Sequence, residues 1–197
     1  MKNTLLAWLL AAAACAASAE DLGKPQLLVA TPELKGLYGR TALLAVPLEG
    51  QHIGFILNRA TDLKLATLFP DHVPSAKVVD PVYFGGPEMV GAIFAVVRSD
   101  PGGAALPLFD DLFVTASAPA VDRIIEQTPN DARYFAGFVA WRPGELAKEI
   151  ETGYWYVADP EAALIFNKDP GGMWEALVKR FGQRRDPRKE LQALAAE

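Results

Sequence analysis

Short runs of β-branched and aromatic residues, punctuated by Gly and Pro, alternate with segments of helical spacing along most of the chain. Leu27–Thr31 is the first predicted strand and stops at Pro32. Thr41–Leu48 and Ile53–Asn58 follow, joined across Glu49-Gly50-Gln51 as a hairpin. Val82–Phe84 is short and ends at Gly85-Gly86-Pro87. Ile93–Arg98 is almost continuously apolar, as a strand buried on both faces would be. Phe113–Ala116, Tyr134–Trp141 and Tyr154–Val157 complete the set, with Ala163–Phe166 as a further strand candidate.

Helices are expected between them. Asp62–Phe69 is closed by Pro70. Pro119–Gln127 follows Ser117 as its cap, and Val121, Ile124 and Ile125 recur at the spacing of one buried face. Pro143–Glu151 opens with Pro at the first helical position, where a missing N–H costs nothing. Met173–Phe181 puts Met173, Trp174, Leu177, Val178 and Phe181 on one stripe, with Gly182 as terminator. A last, marginal helix is expected from Asp186-Pro187 to Ala196. The long loop of residues 99–111 carries Gly102-Gly103. This alternation, with an early hairpin, predicts an α/β class: a compact single domain, a mixed β-sheet with helices packed on its faces. The domain is expected over residues 20–182, with residues 183–197 as a charged helical extension.

The first nineteen residues follow another logic. Lys2 gives a positive start, Leu5 to Ala14 form an apolar run, and Ala17-Ser18-Ala19 is a small-residue exit. That is the pattern of an export signal, with cleavage expected after Ala19 and a periplasmic or secreted mature chain. An apolar run of ten rises only about 15 Å as a helix, half a bilayer core. The alternative is lipoprotein processing at Cys15, because Ala12-Ala13-Ala14-Cys15 loosely resembles a lipobox; a membrane partner is expected only in that case. Cys15 is the one cysteine, so the body after Ala19 has no disulfide, zinc thiolate or cysteine nucleophile. Losing Lys2 from 19 basic residues against 24 acidic ones takes the formal charge from −5 to −6. Such a balance opposes a nucleic-acid partner, and the basic residues between Lys179 and Lys189 fit a solvated helix face.

Four motifs occur in order. They are Gly54-Phe55-Ile56-Leu57-Asn58-Arg59, then Phe84-Gly85-Gly86-Pro87, then the run from Gly137 through Trp141 to Gly144-Glu145-Leu146, then Gly153-Tyr154-Trp155. Together they resemble the YqgE/AlgH family over residues 27–182. The resemblance implies a compact α/β domain and no agreed enzymatic activity; some members carry the label of transcriptional regulator. Family members generally begin at the first strand, without a leader, and Glu145 stands where Gln is usual.

The candidate site residues are Asn58, Arg59, Gly85, Gly86, Trp141 and Glu145, which sit in these motifs at strand ends where a ligand cavity is expected. Gly85 and Gly86 could present N–H groups to an anion, yet Pro87 removes a donor and Glu88 repels one, so a structural turn competes with that role. Glu145 and Glu149 share a helix face and could divide acid and base work, or simply favour the helix dipole as solvated acids. Trp141 is expected in the core with its indole N–H on a carbonyl. Arg59 could hold an anion. His52 and His72 lack metal spacing, and no G-x-S-x-G is present. No metal or cofactor is expected. Three readings follow: a non-catalytic module binding a small molecule or protein, a hydrolase with Glu145 or a histidine as base, and a nucleic-acid regulator.

Overall fold

The computed structural model describes residues 22–182. The leader, Cys15, the cleavage point and the C-terminal helix all lie outside these residues. The described strands are β1 (Gln26–Ala30), β2 (Ala42–Leu48), β3 (Gln51–Ile56), β4 (Tyr83–Phe84), β5 (Glu88–Val97), β6 (Leu106–Pro107), β7 (Phe113–Thr115), β8 (Ala132–Trp141) and β9 (Trp155–Ala158). The helices are α1 (Leu65–Leu68), α2 (Ala118–Gln127), α3 (Glu145–Glu151), α4 (Ala162–Ile165) and α5 (Met173–Gly182), with 3-10 turns at Gly36–Tyr38 and Val73–Lys77.

All strands join one sheet in the order β6-β7-β5-β8-β3-β2-β1-β9. These neighbours are antiparallel, and β4 adds a parallel pairing with β8 through Tyr83 to Phe135 and Phe84 to Ala136. The mixed α/β sheet is therefore present. Its mixed character comes from one short wedge: β4 enters where β3 and β8 part, the Gly85 N–H donating to the Ala136 carbonyl while the Gly85 carbonyl accepts from Ile56.

Side-chain alternation shows how the sheet is covered. Leu27, Val29, Leu44, Val46, Phe55, Val96 and Phe135 point to one inner face, shared with Ile165, Met173, Leu177 and Phe181 from α4 and α5. The opposite face divides in two. Ala95, Val97, Ala132 and Tyr134 meet Val121, Ile124 and Ile125 of α2, whereas Leu28, Leu43, Ala45, Ile56, Val139 and Trp155 meet Leu146 of α3. The division falls on Gly137, at φ +69 in the middle of β8. Phe135 and Phe138 both face the inner core although they are three apart, so the alternation of β8 shifts at Gly137, opposite the β5 segment between Glu88 and Ile93 that carries the extra residues of the register shift. The sheet curls around that inner core as a half-barrel.

Several sequence expectations change. Ala162–Ile165 forms a single helical turn where residues 163–166 read as a strand; a run of four apolar residues carries no period to separate the two. The helix expected over residues 62–69 shrinks to Leu65–Leu68. α3 begins at Glu145, not Pro143, because Gly144 adopts φ +81 and cannot be helical. Ser117 does occupy the cap of α2, but its side chain makes no capping hydrogen bond; its carbonyl accepts from Ala120 and Val121. The loop of residues 99–111 contains β6, a two-residue edge strand holding Pro107.

Candidate functional site

The six candidate residues fall into three separate places. Gly85 and Gly86 are buried at the wedge. A Cβ on Gly85 would lie 2.2 Å from the Gly137 carbonyl oxygen, and one on Gly86 would lie 2.2 Å from the Phe138 carbonyl carbon. Gly137 in turn faces the Gly86 and Glu88 carbonyls at 2.5 and 2.6 Å from its own virtual Cβ. Three glycines thus let two backbones cross in contact, which is what their lack of a side chain is needed for here.

Trp141 lies at the other end of β3. It pairs in register with His52 and stacks over Gly54, whose Cβ would come within 2.7 Å of the indole. Its N–H donates to Glu149 Oε2 at 2.9 Å, and the Trp155 N–H donates to the same oxygen at 2.8 Å. The two indoles meet edge to face at 6.5 Å. The expected carbonyl partner is replaced by a carboxylate, because α3 carries Glu149 directly over the pair. Glu149 is half-buried here, not solvated. Its charge also acts on Tyr38, whose pKa is raised first by burial, then by Glu149 and Glu88. Glu145 is exposed and turns back to accept the Arg142 N–H at 2.8 Å, closing the turn before α3.

Asn58 and Arg59 sit at a third place, behind the loop between β1 and β2. Asn58 Oδ1 accepts from the Ala42 N–H and its Nδ2 donates to the Arg40 carbonyl, both at 3.0 Å. The Arg59 guanidinium donates to the Leu37 carbonyl and, at 3.4 Å, to the Gly39 carbonyl. Burial lowers the Arg59 pKa from its ordinary value, and among the described residues no carboxylate forms an ion pair with it. Both side chains hold one loop in shape.

That loop forms the wall of a 310 Å³ cleft lined by Pro32, Leu34, Lys35, Gly36, Gly39, Arg40 and Trp174. The Trp174 N–H is fixed on the Ala30 carbonyl at 2.7 Å. Arg40 lies over the Trp174 ring at 4.9 Å and pairs with Glu175. Lys35 donates to the Pro32 carbonyl. None of the six sequence candidates lines this cleft; Asn58 and Arg59 support it from behind. Sequence reasoning missed Lys35, Arg40 and Trp174, although a Gly36-x-x-Gly39-Arg40 turn between two strands was visible as loop chemistry.

A larger concavity of 370 Å³ lies on the inner face, walled by Leu48, Ile53, Phe55, Phe94, Leu106 and Val114 with Thr115 beside them. It has size but almost no polar group to orient a ligand, so the chemistry favours the smaller cleft. The histidines have local partners: His52 Nε2 meets the Leu22 carbonyl at 2.9 Å, and His72 Nδ1 meets Ser75 Oγ at 2.8 Å. Ser75 is fully buried, out of reach of a substrate carbonyl. No group of three or more metal-ligating His, Cys, Asp or Glu side chains occurs among the described residues.

A family profile described as AlgH-like matches residues 27–186. A UPF0301 protein of Chlorobium limicola is 30% identical over 161 residues, covering 79% of this chain and 84% of that one. A UPF0301 protein of Rickettsia typhi is 31% identical over 163 residues, covering 79% and 86%. Two solved structures are similar in fold. The solution structure of the AlgH protein from Pseudomonas aeruginosa gives a TM-score of 0.68 at 21% identity, covering 82% of this chain and 89% of that one. The crystal structure of protein DIP2367 from Corynebacterium diphtheriae gives 0.65 at 24% identity, covering 80% and 86%.

Proposed function

The chain belongs to the AlgH-like family, and from that premise we propose that it is an exported, non-catalytic binding protein whose ligand site is the cleft between the β1–β2 loop and Trp174. One observation carries the reading. The strand-end pair Asn58-Arg59 commits both side chains to the Leu37, Gly39 and Arg40 carbonyls, fixing the wall of a concavity that combines cations with an aromatic floor. A preformed wall with few, placed polar groups is what small-molecule recognition needs. Export rests on Lys2, the apolar run and the Ala17-Ser18-Ala19 exit. The acidic balance supports a small ligand over nucleic acid. A hydrolytic role has less behind it, since Glu145 is committed to a turn and Ser75 is buried.

The test is a thermal-shift screen of the full chain against a metabolite library. A ligand at a hundredfold excess over its Kd should raise Tm by roughly 5–10 °C for a domain of this size. Trp174→Leu should abolish that shift while remaining folded by circular dichroism. A screen without hits, or hits that shift Trp174→Leu by the same amount, would remove the cleft from consideration.

A further inference from the structure

We infer that this cleft takes a ligand in which a flat ring carries an oxyanion, and that Glu175 competes with the ligand for Arg40. The inference rests on the binding reading above and adds the chemistry. Pro32, Leu34 and Trp174 supply apolar walls, whereas Lys35 and Arg40 supply the charge. A guanidinium stacked on an indole keeps its edge donors directed outward, in the fork that matches carboxylate and phosphate. A purely apolar molecule would leave Lys35 and Arg40 idle, and a bare anion would leave the ring face unused.

Backbone geometry supports the assignment. Arg40 is held at φ +59, a conformation that non-glycine residues adopt rarely and that persists only where the surroundings enforce it. Asn58 enforces it by holding the Arg40 carbonyl. This fixes where the Arg40 side chain starts; its guanidinium lies over Trp174 and is paired with Glu175.

Charge supports it too. Lys35 and Arg40 share one loop, with Arg59 bracing it from behind, in a chain whose formal charge is −5. The carboxylate that pairs with Arg40 is Glu175, the residue after Trp174, with its side chain 48% exposed. Glu33 is exposed in the same loop but does not line the cleft. An exposed carboxylate on a helix is a weak partner that a ligand oxyanion can displace.

Isothermal titration of the full chain tests this with AMP and benzoate, which join a ring to an oxyanion, and with adenosine and inorganic phosphate, the separated halves of AMP, as the ring-only and anion-only references. At least one joined probe should bind at least tenfold more tightly than either half and should move the Trp174 indole N–H resonance. Arg40→Gln should weaken that probe by tenfold or more. Glu175→Gln should tighten it by roughly two- to five-fold, the factor an exposed ion pair accounts for. Equal affinity for joined probes and halves, or a Glu175→Gln variant that binds no better, would overturn the assignment. A library hit that is neutral or ring-free, yet still lost in Trp174→Leu, would leave the binding site standing and sink only its chemistry.

Discussion

At the scale of residues, most of the recognisable motif positions are explained by packing. Gly85, Gly86 and Gly137 exist for a backbone crossing, Gly54 for the face of Trp141, and Glu145 for a turn. Glu149 is different, because one of its oxygens accepts two indole N–H groups from buried rings. Removing that acceptor takes this bond away from two buried donors, each loss costing about 1–3 kcal/mol. Glu149→Ala should therefore lower stability by about 2–4 kcal/mol, read as a fall in urea midpoint at unchanged slope. Glu149→Gln keeps an acceptor oxygen and should cost about 1 kcal/mol. Equal midpoints for the two variants would show that the indoles find other acceptors.

At the scale of elements, the hairpin was the most legible feature and the single-turn helices the least. Glu49 and Gly50 both adopt positive φ, +48 and +80, as a two-residue loop between right-twisted strands requires. Gly50 makes that conformation free of strain, whereas Glu49 tolerates it poorly. Glu49→Asn should relieve this and stabilise by about 0.5–1 kcal/mol, raising Tm by about 1–4 °C in a calorimetric scan. A lower Tm would mean that the Glu49 side chain has a role the turn geometry does not express. Strand positions were readable because apolar period and punctuation agree over Gln26–Ala30, Ala42–Leu48 and Ala132–Trp141. α4 was not, since Ala162–Ile165 is a segment whose state is decided by what it packs on. The cleft was hidden for a related reason: Arg40 and Trp174 meet only because α5 returns to β1, a contact no local pattern encodes.

At the scale of the whole molecule, the described domain stands on one inner core and two outer ones. No described helix is long and apolar enough to cross a membrane. The proposed export makes a mass prediction: protein recovered from the periplasmic fraction should begin at Glu20, and intact-mass spectrometry reads this directly. Intact Met1 on protein from the cytosol would refute it, and a diacylated Cys15 would replace soluble export by anchoring. The family and fold were legible because four motifs retain their order. The proposed ligand site was not, because its residues are scattered over a loop and the last described helix.

The position of β8 has a kinetic consequence. This central strand arrives late in the chain, yet β3, β4 and β5 all hydrogen-bond to it, as His52 to Trp141 and Tyr83 to Phe135 illustrate. Earlier segments can form the β2–β3 hairpin but must wait for residues 132–141 before the sheet can close. Long-range closure of this kind slows folding. Under the proposed export, a nascent chain held open in this way would remain threadable for longer, which is the state a secretion channel accepts.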